Sequence, residues 1–493
     1  MLPDKIQNIV NKLPKTIQKI IVMVISFFEQ ELSKKDHRIK ELEDQLSKNS
    51  QSRSIGTKPP STDKPYDKPT SKSRRFKTGK KVGGQKGHEG TNLKMVEKPD
   101  DYAYHEVSAC KNCGDNLENI PIEKIGRRQV YDIPRLNIKV IEHQSEIKTC
   151  SCGCQNSNFP PEASHYVQYG PRIKGLMVYL QNYQLLPYSR TSELIEDLFD
   201  HKISCGTLHN AQKNAYNRLE HFEIDLKTLL IIATVAGFDE TGFRVLTSCW
   251  WLHSCSTDSH AYYEVHKKRG NEAMDEIGIL PDFEGIAIHD FWKSYLKYAC
   301  THGLCNAHLI RELTFIHEQL GEDWAKELID FLLEMKRAKD KAIQANKTAL
   351  SDDILRQFDE KYDKIVKKGL DANPFSPPVY AKGQKKKRGR PKKTKQRNLL
   401  ERLRDYKFDI IRFSKDFIVP FDNNFSERDI RMMKLKQKIS GCFRSKQGAQ
   451  YFARIRSFIM SARKQKRNIL DDLTDIFISN SVWRNIVNFS YAE

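Results

Sequence analysis

The spacing of apolar positions changes character several times along the chain. Leu32, Lys35, Ile39, Leu42 and Leu46 recur at alternating intervals of three and four, with Glu31, Lys40, Glu41 and Glu43 between them. That spacing predicts a short amphipathic helix with a coiled-coil seam, and Pro3 and Pro14 confine it to the residues after them. Residues 165–228 read as helices, including Thr191 to Asp200 and a second beginning near Ser204, each opened by a Ser or Thr cap. Separated by His201-Lys202-Ile203, these two form either a helix-turn-helix or an ordinary helical hairpin. The period then becomes that of strands: Leu229 to Phe238, Phe243 to Ser248, Trp250 to Ser254, Ala261 to His266 and Gly285 to His289 alternate or run apolar. From Asn306 to Lys368 the pattern is helical and charged. A Pro-rich break comes next, and helices resume from about Leu399. Strands with helices around them predict an α/β class, in the form of a multidomain α+β chain built on a mixed sheet.

Composition adds a bias towards polyanions. The 493 residues fit about three folded units, and the net charge is +20. The apolar share of 39% lies below the ~45–50% of average globular chains, so part of the length is expected to be linker. The Ser-, Pro-, Gly- and Lys-rich stretch from Asn49 to about Asp100 fits that role, with seven basic residues and no acidic one between Ser71 and His88. A second basic run, Lys385 to Arg397, holds nine. No signal peptide is recognisable, and the longest apolar run is far short of the ~18 residues that span a bilayer, so a cytoplasmic, nucleoid-associated protein without membrane contact is expected.

In that reducing compartment the 11 cysteines are expected to be metal ligands and core thiols rather than disulfides. Cys110-Lys-Asn-Cys113-Gly is a knuckle, and Cys150-Ser-Cys152-Gly-Cys154 comes after a segment, Val130 to Lys148, that reads as β structure. Four soft ligands satisfy tetrahedral Zn²⁺, so four of Cys110, Cys113, Cys150, Cys152 and Cys154 are expected to hold a structural zinc, with the choice among the last three open.

Two acids stand where strands are expected to end: Asp239 in Ala-Gly-Phe-Asp-Glu-Thr and Asp290 in Ile-Ala-Ile-His-Asp-Phe-Trp. On neighbouring strands they can share divalent cations, and Glu427 is the best third acid, because Asp422, Asn423 or Ser426 can cap a helix that places it near the first turn. From Ile430 to Leu470 there are twelve Lys or Arg and no acid, interleaved with Phe443, Tyr451, Phe452 and Phe458. Acids backed by a cationic, aromatic-bearing helical surface suit phosphodiester chemistry with Mg²⁺ or Mn²⁺. Arg428, Arg431, Lys434 and Lys436 are expected to position phosphates. Lys387-Arg388-Gly-Arg390-Pro-Lys392 resembles an AT-hook core, in which Arg388 and Arg390 enter a minor groove; a basic loop is the alternative.

Asp239-Glu-Thr-Gly242, Trp251-Leu-His253, Lys268-Arg269-Gly270, His289-Asp290, Cys305-Asn-Ala-His308-Leu-Ile-Arg311-Glu-Leu313, Asp422-Asn-Asn424 and Glu427-Arg428 together resemble the DDE transposases of bacterial insertion sequence sixty-six. The resemblance runs from about residue 30 to 480 and takes in Gly83-Gly-Gln-Lys-Gly-His88 and the cysteines. It implies an RNase H-like core carrying Asp239, Asp290 and Glu427, two metal ions per site, and DNA partners, namely element ends and target. A homodimer or larger synaptic complex is expected, and accessory transposition proteins are compatible with it. It places a helix or coiled coil at 1–50, a basic linker at 51–100 and a zinc ribbon at 101–160. A helical region comes next at 161–228, then the catalytic domain at 229–445 with an insertion at about 306–400, and basic helices at 446–493. The Cys305–His308 pair reads as structural. Two other readings remain open: an RNase H-like nuclease without strand transfer, and an inactive zinc-ribbon DNA-binding regulator.

Overall fold

The computed structural model describes residues 92–375 and 393–478, Ile486, and Pro14 with part of the helix after it. Ile39, Leu42 and Leu46 of the expected seam, the linker over 51–91, and Arg388 and Arg390 lie outside the described residues. The chain divides into two compact units, Met1–Leu136 and Asn137–Glu493. In the first, the described residues from 92 onwards run without helix or strand apart from the Ala109–Asn116 bridge that closes the Cys110 turn.

The second unit opens with a two-stranded ribbon, β1 (Lys148–Thr149) and β2 (Gln155–Asn156). The expected β segment from Val130 to Lys148 carries no strand apart from its last residue, which is in β1. A helical layer comes after it: α1 (Pro171–Val178), a π-turn at Tyr179–Tyr183, α2 (Tyr188–Phe199), α3 (Cys205–Arg218) and α4 (Glu220–Ile231). Ser204 caps α3 as expected, its hydroxyl accepting from Thr207 N at 3.1 Å. Thr191 does not cap α2. That helix starts three residues earlier, after Pro187, and the Thr191 hydroxyl donates back to Pro187 O.

Next comes a five-stranded mixed sheet of β3 (Val235–Val245), β4 (Ser248–Ser256), β5 (Ala261–His266), β6 (Ile286–His289) and β7 (Thr301–Leu304), with α5 (Asn271–Ile277) between β5 and β6. The order is β5-β4-β3-β6-β7; β3, β4 and β5 form an antiparallel meander, and β6 and β7 run parallel to β3. Two expectations give way here. Leu229 to Ile231 close α4 instead of opening a strand, because a short apolar run serves a buried helix face equally well. The polar Asp239-Glu-Thr-Gly242 does not end a strand either, since β3 continues through it, paired with β4.

Between β7 and the last helices lies a helical insertion whose core is shared with β6 and β7: α6 (Asn306–Leu320), α7 (Asp323–Gln344), α8 (Asp352–Ala372), α9 (Lys395–Asp405) and α10 (Lys407–Lys415). The chain then returns to the sheet as α11 (Asn424–Ser440) and α12 (Lys446–Lys464), with α13 (Ile469–Asp475) packed on α1. α12 lies along β5 and feeds side chains into the cores on both faces of the sheet, with Ile455, Phe458 and Ile459 on one and Phe452 and Met460 on the other. Ser457 Oγ accepts from Tyr263 N at 2.9 Å and Ser461 Oγ from Ala261 N at 3.1 Å, so the free edge of β5 finds its partners on a helix.

Candidate active site

The parallel register pairs Gly237 with Ile288; Asp239 lies two residues further along β3, and Asp290 just past the end of β6. β6 ends at His289 while β3 runs on to Val245, so beyond Asp239 the β6 side of β3 has no strand partner. Asp239 therefore faces a crevice from the middle of its strand.

Gly237 brings the third acid in. A Cβ on it would lie 2.2 Å from Ser426 Oγ and 2.3 Å from Asn423 Oδ1, so only glycine lets the start of α11 rest on the strand. Asn423 fastens the contact, its side-chain amide donating to Phe238 O at 2.8 Å and its backbone N–H to Cys305 Sγ at 3.1 Å. Asp422 Oδ1 accepts from Asn424 N at 3.0 Å. Glu427 then falls in the first turn of α11, which favours an acid.

Burial, then the charges of Glu240, Glu427 and Asp290, push the Asp239 carboxyl up to about 8. Asp290 Oδ1 accepts from Trp292 N at 2.9 Å. Glu427 takes Arg311 Nη2 at 3.3 Å on Oε2, with Arg431 at 3.7 Å. Its Oε1 lies 3.4 Å from His308 Nδ1, yet Oε1, His308 Nδ1 and Arg311 Nε are all buried without a hydrogen-bond partner. An orphaned buried carboxylate oxygen costs about 1–3 kcal/mol, and with Asp239 and Asp290 nearby it fits a hard divalent cation.

Cys305, His308 and Glu427 are the group of three among the described residues whose donor atoms all lie within 4.8 Å of one another, and they can hold a metal ion. The three acids are spread more widely than that. The Cys305 thiol is pushed up to about 11 by burial and accepts from Asn423 N.

Behind Asp239, and on the opposite face of the sheet, sits a frame that no local spacing in the sequence announces. Glu240 is fully enclosed; Arg269 donates to its Oε1 through Nε at 2.9 Å and Nη2 at 2.6 Å, and the Tyr295 hydroxyl donates to Oε2. The Arg269 guanidinium lies between two indoles, 4.9 Å from Trp251 and 4.2 Å from Trp292. Trp292 is the residue whose N–H holds Asp290, so one stacked cation ties the environments of both aspartates together. His289, which precedes Asp290, is driven down to about 3 by burial and stays neutral against His302, with Nε2 2.9 Å from Nδ1.

The basic residues divide. Arg428 and Arg431 are exposed on α11. The ammonium groups of Lys434 and Lys436 donate to Gly242 O and Leu185 O, and burial lowers both, Lys436 to about 8. The expected cationic surface over 430–470 is likewise curtailed, because α12 is buried along most of its length. Arg454 is taken up by Glu223 and Tyr216 O, and Arg456 by Asn182 O.

The cysteines fall in both units. In Met1–Leu136, Cys110 N donates to Asp115 O and Gly114 N to Cys110 O, with Gly114 at φ +81°. Backbone N–H groups of Cys113 and Asn112 draw the Cys110 thiol down to about 7. In Asn137–Glu493, Cys150 N donates to Cys154 O and Gly153 turns at φ +84°. The Cys150 thiol is lowered in the same way, first by the backbone of Cys152. Both turns carry a thiol biased towards the ligating thiolate.

The model of the family described as "Transposase IS66 family" matches residues 166–451, more than half of the chain, and the chain belongs to that family. Residues 2–94 match a "Family of unknown function (DUF6444)". No curated protein matches the chain. The protein is thus a transposase, with DNA as its partner. No described helix is long and apolar enough to cross a membrane.

Proposed function

We propose that this transposase cuts and joins DNA through Asp239, Asp290 and Glu427, on a sheet of RNase H-like order. The observation that carries the reading is that Asp239 feels the charges of both Asp290 and Glu427. The reading is further supported by Asp290 following the end of β6 beside β3, and by the Gly237 contact that brings the start of α11 against β3. At neutral pH an acid raised to about 8 keeps its proton, and a divalent cation bound beside the other two acids would displace it.

Asp239, Asp290 and Glu427 would hold a Mg²⁺ or Mn²⁺ pair. Bound there, the ions lower the pKa of an attacking water or 3′-hydroxyl and neutralise charge on the leaving oxygen. The protein's own contribution is orientation: Trp292 N–H fixes the Asp290 carboxylate, Arg311 fixes Glu427, and Arg428 and Arg431 hold the flanking phosphates. Binding of element ends falls to the cysteine turns and to α2 and α3. Each turn is read as offering zinc-ligating thiolates, Cys110 and Cys113 in one and Cys150, Cys152 and Cys154 in the other, which metal analysis of the purified chain tests.

Asp290→Asn is expected to abolish metal-dependent cleavage while end binding survives in a mobility-shift assay. Equal loss of both would refute the assigned role. Joining of pre-cut 3′-hydroxyl ends to a target plasmid separates a transposase from an RNase H-like nuclease, which yields no joined product.

A further inference from the structure

Beside the acids, a cavity of about 440 Å³ opens between the π-turn region and helices α11 and α12, lined among others by Tyr183, Leu185, Arg428, Arg431, Met432, Leu435, Arg456, Met460 and Arg463. Its size falls within the ~300–1,000 Å³ of ligand pockets. Its lining has two parts. Leu185, Met432, Leu435 and Met460 make an apolar floor, and four arginines make a cationic rim. The acid on the wall, Asp429, is neutralised by Lys464 at 2.7 Å.

The floor is left open to solvent: Leu435 is 51% exposed although Met432 and Met460 beside it are buried. Arg456 is 5% exposed, and its Nη1 donates to Asn182 O at 2.9 Å, while Nε has no partner. A buried guanidinium with an unsatisfied donor in the wall of a cavity calls for an acceptor from outside the chain. Tyr183 lies under Arg456 and Arg463, 5.4 and 5.9 Å from its ring centre. The far wall is held in a strained shape, since Leu185 sits at φ +64°, a conformation that costs a non-glycine residue roughly 1–2 kcal/mol.

An apolar slot with an arginine rim matches one chemical class, a nucleotide, whose flat base takes the floor and whose phosphate takes the rim. Arg428, Arg431, Met432 and Leu435 form one stripe of α11, and Arg431 reaches Glu427 at 3.7 Å. Four residues of helix rise about 6 Å, or one to two nucleotide steps of ~3.4 Å. We propose that this cavity receives one unstacked nucleotide of the DNA within two positions of the bond being cut. The inference rests on the transposase reading and names a binding step in it.

The test uses the full-length chain and duplexes carrying the terminal sequence of its own element, with 2-aminopurine placed singly at each position around the cleaved bond. Fluorescence is read without divalent cation, so that binding alone is seen. One position is expected to brighten by about threefold or more on binding, as a base leaves the stack. Leu435→Trp, a change at an exposed position that fills the floor, is expected to remove that rise and to slow metal-dependent cleavage by about tenfold or more, while an abasic residue at the same position restores cleavage by the variant. Bound DNA that brightens nowhere, or a Leu435→Trp chain that brightens and cleaves like the parent, overturns the inference. A parent chain that brightens but neither cuts nor joins DNA supports the pocket and overturns the transposase reading instead.

Discussion

Asp239 is the residue at which burial and charge conflict most. Its folded pKa of about 8 lies above the ordinary 3.8, so the stability it contributes is fully present below about pH 4 and drains away as pH rises through 8. In metal-free protein, Asp239→Asn removes that loss. The variant should melt above the parent at pH 8 by at least about 1 kcal/mol, the weight of one pKa unit, with the gap narrowing towards pH 5. Adding Mg²⁺ should raise the melting temperature of the parent and leave the variant nearly unmoved; calorimetry across the pH range reads both. Asp290 and Glu427 are legible in the sequence because each stands at a recognisable boundary, a strand end and a helix start. Asp239 is legible as an acid but not in its setting, since its polar neighbours interrupt the apolar alternation while the backbone continues as strand. The Glu240 frame is hidden for another reason: Arg269 and Tyr295 lie 29 and 55 positions away in sequence, and nothing local marks the pairing.

At the scale of elements, the site depends on how closely α11 approaches β3. Gly237→Ala places a methyl group inside the contact with Ser426 and Asn423, so α11 must lift. A stability loss of about 1–3 kcal/mol is expected from such overpacking, together with a fall in cleavage of about 100-fold as Glu427 moves away from the aspartates. Ser426→Gly in the same chain should recover part of both, as urea melts and cleavage assays would show. α6–α8 are readable because their buried faces repeat at about 3.6 residues, and β4 and β5 because apolar and aromatic residues run together through them. α12 reads as surface from its composition alone, because a basic content does not reveal that Arg454 and Arg456 find Glu223 and main-chain carbonyls inside.

For the whole molecule, the net charge of +20 attracts DNA, but not every cation takes part. Each phosphate contact contributes about 0.9 to the slope of log affinity against log salt. Arg428→Ala with Arg431→Ala should flatten that slope by about 2, whereas Lys434→Ala should leave it unchanged because its ammonium is already committed to Gly242 O. Titrations at several salt concentrations would distinguish them.

The pairing of β5 with Ser457 and Ser461 spans 194 and 200 residues of sequence. At about 5–20 residues per second a ribosome needs on the order of 10–40 s to cover that distance. Throughout that interval the nascent sheet carries an unprotected border, open to illegitimate pairing with other chains. A message truncated before codon 457 would therefore yield an aggregation-prone polypeptide rather than a smaller working enzyme.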